Sequence, residues 1–315
     1  MDGLAPHDRP SPPVKDHRTL TNKTLPRPLL WLAIVLLCLG IFFRFAHLDT
    51  KIYWVDEVAT SIRIAGHTAP EVTQELIDRA ILTVDDLKQY QQLTPETSFS
   101  DTFNALIQSP EHAPLYFLIA RFWVQFFGSS AATIRSLSAI LGLLALPMIY
   151  WFCLELFQSP QTGWISLMLL SISPFYVAYS QEARPYSLWT ATLLLASIAL
   201  LRAIRFNDRQ SWGFHTVAII LSCYTSLLSL LVVMGQGLYI VALEKLRFTK
   251  TVQNYLQSLS LAMVAFSPWL FCDLSPLANS SSKYDLDERT HESARDDCHL
   301  DCSHFTHLWR SSHFS

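Results

Sequence analysis

Residues 164–204 read WISLMLLSISPFYVAYSQEARPYSLWTATLLLASIALLRAI, two apolar blocks separated by the five residues Gln181-Glu182-Ala183-Arg184-Pro185. The apolar residues are continuous rather than spaced along one helical face, and a helix of roughly 20 such residues spans the hydrocarbon of a bilayer. Two blocks joined this tightly predict a helical hairpin in a membrane. Its turn is the unusual part. Gly, Asn or Ser would suffice for a turn, whereas Glu182 and Arg184 are expensive to place beside lipid and mark functional positions. A Glu182–Arg184 pair that only locks the hairpin is the alternative reading.

The same composition extends outward. Further apolar blocks run from Leu29 to Phe45, Pro114 to Phe127, Ala131 to Phe157, Trp212 to Leu243 and Leu256 to Cys272. Half of the residues are hydrophobic and 16% are charged, against about 25% in a soluble domain. The fold class is therefore an all-α, polytopic integral membrane protein, placed in the plasma (inner) membrane. A net charge of −3 without a basic stripe excludes nucleic acid as a partner. Cys38, Cys153 and Cys223 lie inside apolar blocks, which argues against a disulfide framework.

Basic residues set the orientation. Residues 1–28 carry Arg9, Lys15, Arg18, Lys23 and Arg27 ahead of the first block and read as a cytoplasmic tail. No small-residue cleavage site follows that block, so it reads as a retained anchor. The clusters Arg202, Arg205, Arg209 and Lys245, Arg247, Lys250 should also be cytoplasmic. Both requirements hold if Pro114 to Phe127, short and carrying Arg121, is interfacial or re-entrant, and if the 212–243 block breaks near Tyr224 to Ser226. The result is a membrane domain over 29–272 with about seven spans and a first outer loop over 46–113. That loop carries helix signals: Val55, Ala59, Ile62 and Ala65 share a face, and Thr68 with Glu71 forms a capping box ahead of Val72, Leu76 and Ile81.

This parity gathers Asp56-Glu57, Glu111-His112, the 181–184 turn and the Tyr224 break on one side. Adjacent carboxylates at a helix start can be dipole-favoured charges and nothing more. Read functionally, Asp56 and Glu57 are catalytic candidates, with Asp56 as a base for an acceptor hydroxyl or a ligand for a divalent cation such as Mg or Mn. Glu111 and His112 stand between Pro110 and Pro114 where the loop re-enters the membrane, and can be simply solvated or can face a substrate. Arg184 has the planar fork that pairs with phosphate oxygens.

Taken in order, Asp56-Glu57, then Glu111-His112-Ala113-Pro114-Leu115-Tyr116, then Arg135-Ser136-Leu137-Ser138-Ala139, then Ser180-Gln181-Glu182-Ala183-Arg184-Pro185-Tyr186 resemble the bacterial protein O-mannosyltransferase-like family of GT-C membrane glycosyltransferases. The aminoarabinose transferases share this plan. The resemblance covers about Leu29 to Cys272. It implies a GT-C-like helical bundle that transfers a sugar, with inversion, from a polyprenyl-phosphate donor in the membrane lipid to a protein, lipid or glycan acceptor at the outer face. Asp56 and Glu57 would be catalytic. Glu111, His112, Glu182, Arg184 and Tyr186 would bind substrate, with Arg184 on the phosphate leaving group. Members of the family usually carry His where this chain has Tyr224-Thr225-Ser226.

Residues 273–315 change character to Ser, Asp, His and Arg without a structural period, and read as an irregular polar tail. Apolar blocks end at Cys272, which suggests a reading-frame change or truncation ahead of a second half and leaves an inactive fragment as the competing reading. A transporter is the other competitor, disfavoured by the lack of internal repeats. Cys298 and Cys302 with nearby histidines could be taken for zinc ligands, but the spacing is not that of paired knuckles and no apolar residues surround it.

Overall fold

The computed structural model describes residues 26–77 and 83–274, and among these residues the chain is α-helical with no strand. The 1–25 segment, Ile81 and the polar tail with Cys298 and Cys302 lie outside the described residues. The helices are α1 (Arg27–Phe45), α2 (Val55–Ala65), α3 (Ala69–Ile77), α4 (Val84–Lys88), α5 (Phe99–Ile107), α6 (Pro114–Phe127), α7 (Ala131–Phe157), α8 (Pro160–Ile172), α9 (Pro174–Ser180), α10 (Tyr186–Phe206), α11 (Arg209–Thr225), α12 (Ser229–Leu243) and α13 (Lys250–Leu274). Among the described residues α1, α7 and α10 are long and apolar enough to cross a membrane. The α8–α9 pair, bent by 60° at Ser173-Pro174, passes the same test when taken as one span. Proline removes an amide donor and clashes with the preceding turn, which accounts for the bend.

Polarity is inverted relative to a soluble protein. Trp31, Leu169, Phe175, Leu238 and Val264 point outward, while Arg44, Glu57 and Arg135 are almost wholly enclosed. An outer surface that exposes aromatic and aliphatic side chains around a core holding the charges suits a lipid solvent. This is an integral membrane protein.

Taking the end at which α1 finishes as the top, hydrogen bonds fix the direction of each rod. Arg44 near the end of α1 donates to the carbonyl of Ser171, the penultimate residue of α8, at 2.8 Å. The approach is close because Gly40 lies against Ser171: a Cβ there would meet the Ser171 carbonyl oxygen at 2.3 Å. Gln181 donates to the carbonyls of Phe43 and Ala46, which brings the α9–α10 turn to the top as well. At the bottom, Glu155 of α7 meets Arg202 and Arg205 of α10, and Asn254 of α13 donates to Asn207 at 2.8 Å. Arg209 and Lys250 line one cleft of about 350 Å³ there, so the two basic clusters share an end. The 212–243 block is divided at Ser226 to Leu228, where the Ser229 hydroxyl donates to the carbonyl of Ser222 at 2.7 Å.

α6 stays at the top. Its Tyr116 hydroxyl is 2.8 Å from Ser138 Oγ and its Trp123 indole donates to Thr133 at 3.0 Å, so it runs antiparallel to the first two turns of α7. Beyond its end, Ser129 Oγ accepts from the amide of Leu93 in the loop. Arg121 is turned away from lipid: it donates to Ile64 near the C-terminal end of α2 at 3.1 Å and to Thr97 at 2.6 Å, where a cation complements the helix dipole.

The described residues of the 46–113 loop thus form a helical cap tied onto the bundle. α2 ends at Gly66 with φ 95°, a left-handed stop that glycine adopts without strain. The Thr68–Glu71 box forms as its spacing implied, with Thr68 N donating to Glu71 at 2.9 Å. Ile62 and Ala65 are buried whereas Val55 is exposed, so the apolar stripe engages only along the second half of α2.

Candidate active site

Asp56 and Glu57 are neighbours in the first turn of α2, and a helix turns about 100° per residue, so they face different surroundings. Glu57 points down into the bundle. Its two oxygens take a bidentate pair from Arg135 of α7, with Nε to Oε1 at 2.8 Å and Nη2 to Oε2 at 2.6 Å. Oε1 also accepts from the amide of Ala183 at 2.8 Å, and Oε2 faces the amide of Trp54 at 3.4 Å. The remaining donors of Arg135 reach the carbonyls of Leu48 at 2.7 Å, Lys51 at 3.1 Å and Ile52 at 2.9 Å, and its guanidinium lies 5.1 Å from the centre of the Tyr53 ring. A buried ion pair is tolerable only when such extra hydrogen bonds satisfy both partners, and here they do. The pair joins the turn after α1, the start of α7 and the α9–α10 turn at one point.

Asp56 faces the rim and keeps 40% of its side chain exposed. Arg184 Nη2 lies 3.6 Å from Asp56 Oδ2, and Arg184 Nη1 donates to Thr60 Oγ1 at 3.3 Å. Asp56, Thr60 and Arg63 stand at i, i+4 and i+7, one stripe along α2. Arg63 in turn lies 3.9 Å from Glu111 Oε1, and His112 Nε2 is 3.7 Å from the same oxygen. The structure therefore brings Asp56, Glu111, His112 and Arg184 together. Tyr186 is adjacent, its ring 5.7 Å from the Arg184 guanidinium and 5.1 Å from Tyr179.

Glu182 stands apart from this group. Arg184 pairs with Asp56 and Thr60, which removes the reading of a Glu182–Arg184 lock on the hairpin. One oxygen of Glu182 is buried with no hydrogen-bond partner, and burial followed by repulsion from Glu57 raises its pKa. His112 shifts the other way. Burial first, then Arg63, pulls it down to about 4, against the attraction of Glu111, so it is a neutral imidazole at pH 7.

Sequence reasoning missed Arg63 and Thr60, whose only signal is their spacing from Asp56, and left Arg135 without a role. Around Asp56 the near groups are guanidiniums, and among the described residues no three His, Cys, Asp or Glu side chains cluster to hold a metal.

The family model for dolichyl-phosphate-mannose-protein mannosyltransferases matches residues 111–271, half of the chain, including Glu111, His112, Arg135, Glu182, Arg184 and Tyr186. The chain belongs to that family. No curated protein and no solved structure matches it. Membership gives glycosyl transfer of the GT-C type, with a lipid-linked sugar donor and an acceptor in general terms. Asp56, Glu57 and Arg63 precede the matched residues and join them only through the folded cap.

Proposed function

We propose that this protein transfers a sugar from a polyprenyl-phosphate donor to an acceptor hydroxyl, with inversion, at the extracytoplasmic face of the plasma membrane. The observation that carries this reading is the rim geometry: a half-exposed carboxylate, Asp56, 3.6 Å from a guanidinium, Arg184, on an enclosed ionic floor. The placement of both basic clusters at the opposite end supports the orientation. About seven spans follow when α11, α12 and α13 cross beside α1, α7, α8–α9 and α10, and α6 remains re-entrant.

In this mechanism Asp56 accepts the proton of the acceptor hydroxyl as its oxygen attacks the anomeric carbon. The bond from that carbon to the phosphate oxygen breaks, and its electron pair leaves with the phosphate. The phosphate passes from a singly charged diester to a doubly charged monoester, and Arg184 stabilises the added charge. Glu111 orients the acceptor, neutral His112 offers the donor a hydrogen bond, and the Tyr186 ring steadies the Arg184 guanidinium. Glu182 borders the donor side of the turn. Glu57, both oxygens engaged, is a positioning residue in this scheme.

Proteoliposomes of the whole chain given a radiolabelled polyprenyl-phosphate mannose test the proposal. Label transfer that falls about 10²- to 10⁴-fold in Asp56→Asn supports it, and persistence when divalent cations are chelated supports the base over the metal role. Equal transfer by both proteins, or none by either, overturns it.

A further inference from the structure

Arg63 is the group at the rim whose presence the transfer scheme above does not explain. Its side chain is 90% buried, yet its Nε has no hydrogen-bond partner, its Nη1 reaches only the carbonyl of Ala59 one turn back, and its ion pair with Glu111 is long at 3.9 Å. Arg184 repeats the pattern, with 12% of its side chain exposed, an unpartnered Nε and a 3.6 Å pair to Asp56. Arg135, on the floor of the same site, shows what a satisfied buried guanidinium looks like in this fold: Nε and both Nη atoms bonded at 2.6–3.1 Å.

Arg184 Nη1 meets Thr60 Oγ1 at 3.3 Å, one turn of α2 ahead of Arg63, and two enclosed guanidiniums brought to one stripe repel each other unless an anion is shared between them. Burial lowers the pKa of Arg63, and Arg184 lowers it further while Glu111 and Asp56 act against this. Both carboxylates are the loose halves of their pairs: 60% of the Glu111 side chain and 40% of that of Asp56 are exposed, so both can turn toward water. The arginines, enclosed by the cap and the 181–186 turn, cannot.

We infer that Arg63 and Arg184 are the two arms of one clamp for the phosphate of the lipid-linked donor, the phosphate replacing Glu111 and Asp56 on the guanidiniums. The inference rests on the proposed donor class and adds a second arm and a consequence. An arginine that holds phosphate no longer holds Asp56, so donor binding frees the base. Because the leaving phosphate gains a charge, the clamp grips product more tightly than donor. Oriented guanidinium forks supply charge-assisted bonds to phosphate oxygens that a point charge does not match.

The test uses the full chain in nanodiscs and a fluorescent polyprenyl monophosphate, with the uncharged polyprenol as control, and needs no turnover. The expected result is that Arg63→Gln weakens the monophosphate about 10- to 100-fold and leaves polyprenol binding unchanged, with Arg63→Lys intermediate. Unchanged polyprenol binding also certifies that the variant is folded. Wild-type and Arg63→Gln proteins that bind the monophosphate equally would overturn the clamp and leave the donor class standing. An equal loss of both lipids in Arg63→Gln and Arg63→Lys would make Arg63 a structural residue and overturn the clamp too. A wild-type protein that does not prefer monophosphate to polyprenol would overturn the donor class itself, and the clamp with it.

Discussion

The floor and the rim of the site are built from the same chemical parts and behave differently. On the floor, Glu57 and Arg135 meet at 2.6 Å with every remaining donor of the arginine on a carbonyl. On the rim, Asp56–Arg184 and Glu111–Arg63 stand at 3.6 and 3.9 Å with unpartnered nitrogens. A pair that is fully satisfied holds chain segments together. A pair that is loose, with its carboxylate in water and its guanidinium enclosed, leaves binding capacity for something else. Of the Asp56-Glu57 doublet, one acid is enclosed and fully paired while the other stays open to water.

Breaking the floor should give the largest effect. Glu57→Gln leaves Arg135 as an uncompensated buried charge, which costs about 3–5 kcal/mol. The thermal midpoint of the purified protein should drop sharply, and replacing both residues by Leu should recover part of the loss. If Glu57→Gln unfolds like the wild type, the floor is not the support described.

A smaller effect is expected at the bottom of the bundle. There Glu155 also binds two arginines, Arg202 at 3.1 Å and Arg205 at 2.6 Å, but both arginine side chains are more than a third exposed. Solvent screening limits such pairs to about 1 kcal/mol or less. Glu155→Gln should lower the midpoint slightly and leave label transfer unchanged, since the rim lies at the other end. A loss of transfer would show that the two ends are coupled.

The smallest effect concerns His112. Its folded pKa of about 4 lies below its ordinary 6.5. The unfolded chain therefore binds the extra proton, and stability falls as pH drops from 6.5 toward 4 and is level above 6.5. Between about pH 7.5 and 6 the loss should be roughly 1 kcal/mol or less, and His112→Gln should abolish that part of the slope. A slope identical in the variant would place the titration elsewhere. Bound phosphate should raise the His112 pKa, which labelled-histidine NMR would detect.

Much of this was written locally. Continuous apolar blocks determine helices that face lipid, the Thr68–Glu71 spacing determines a cap, and acids and an arginine between spans announce a site, because each signal depends only on residues a few positions apart. Partner choice is different. Glu57 finds Arg135 across 78 positions and Ala183 across 126, Arg184 takes Asp56 in place of nearby Glu182, and Arg63 enters the rim through a face of α2 that its apolar pattern does not advertise. Packing of the cap on the bundle decides which carboxylate is enclosed and which stays wet, and burial then decides which charges are spent on structure. Adjacent in the chain, Asp56 and Glu57 became distinct only when the tertiary fold gave one of them water and the other an arginine.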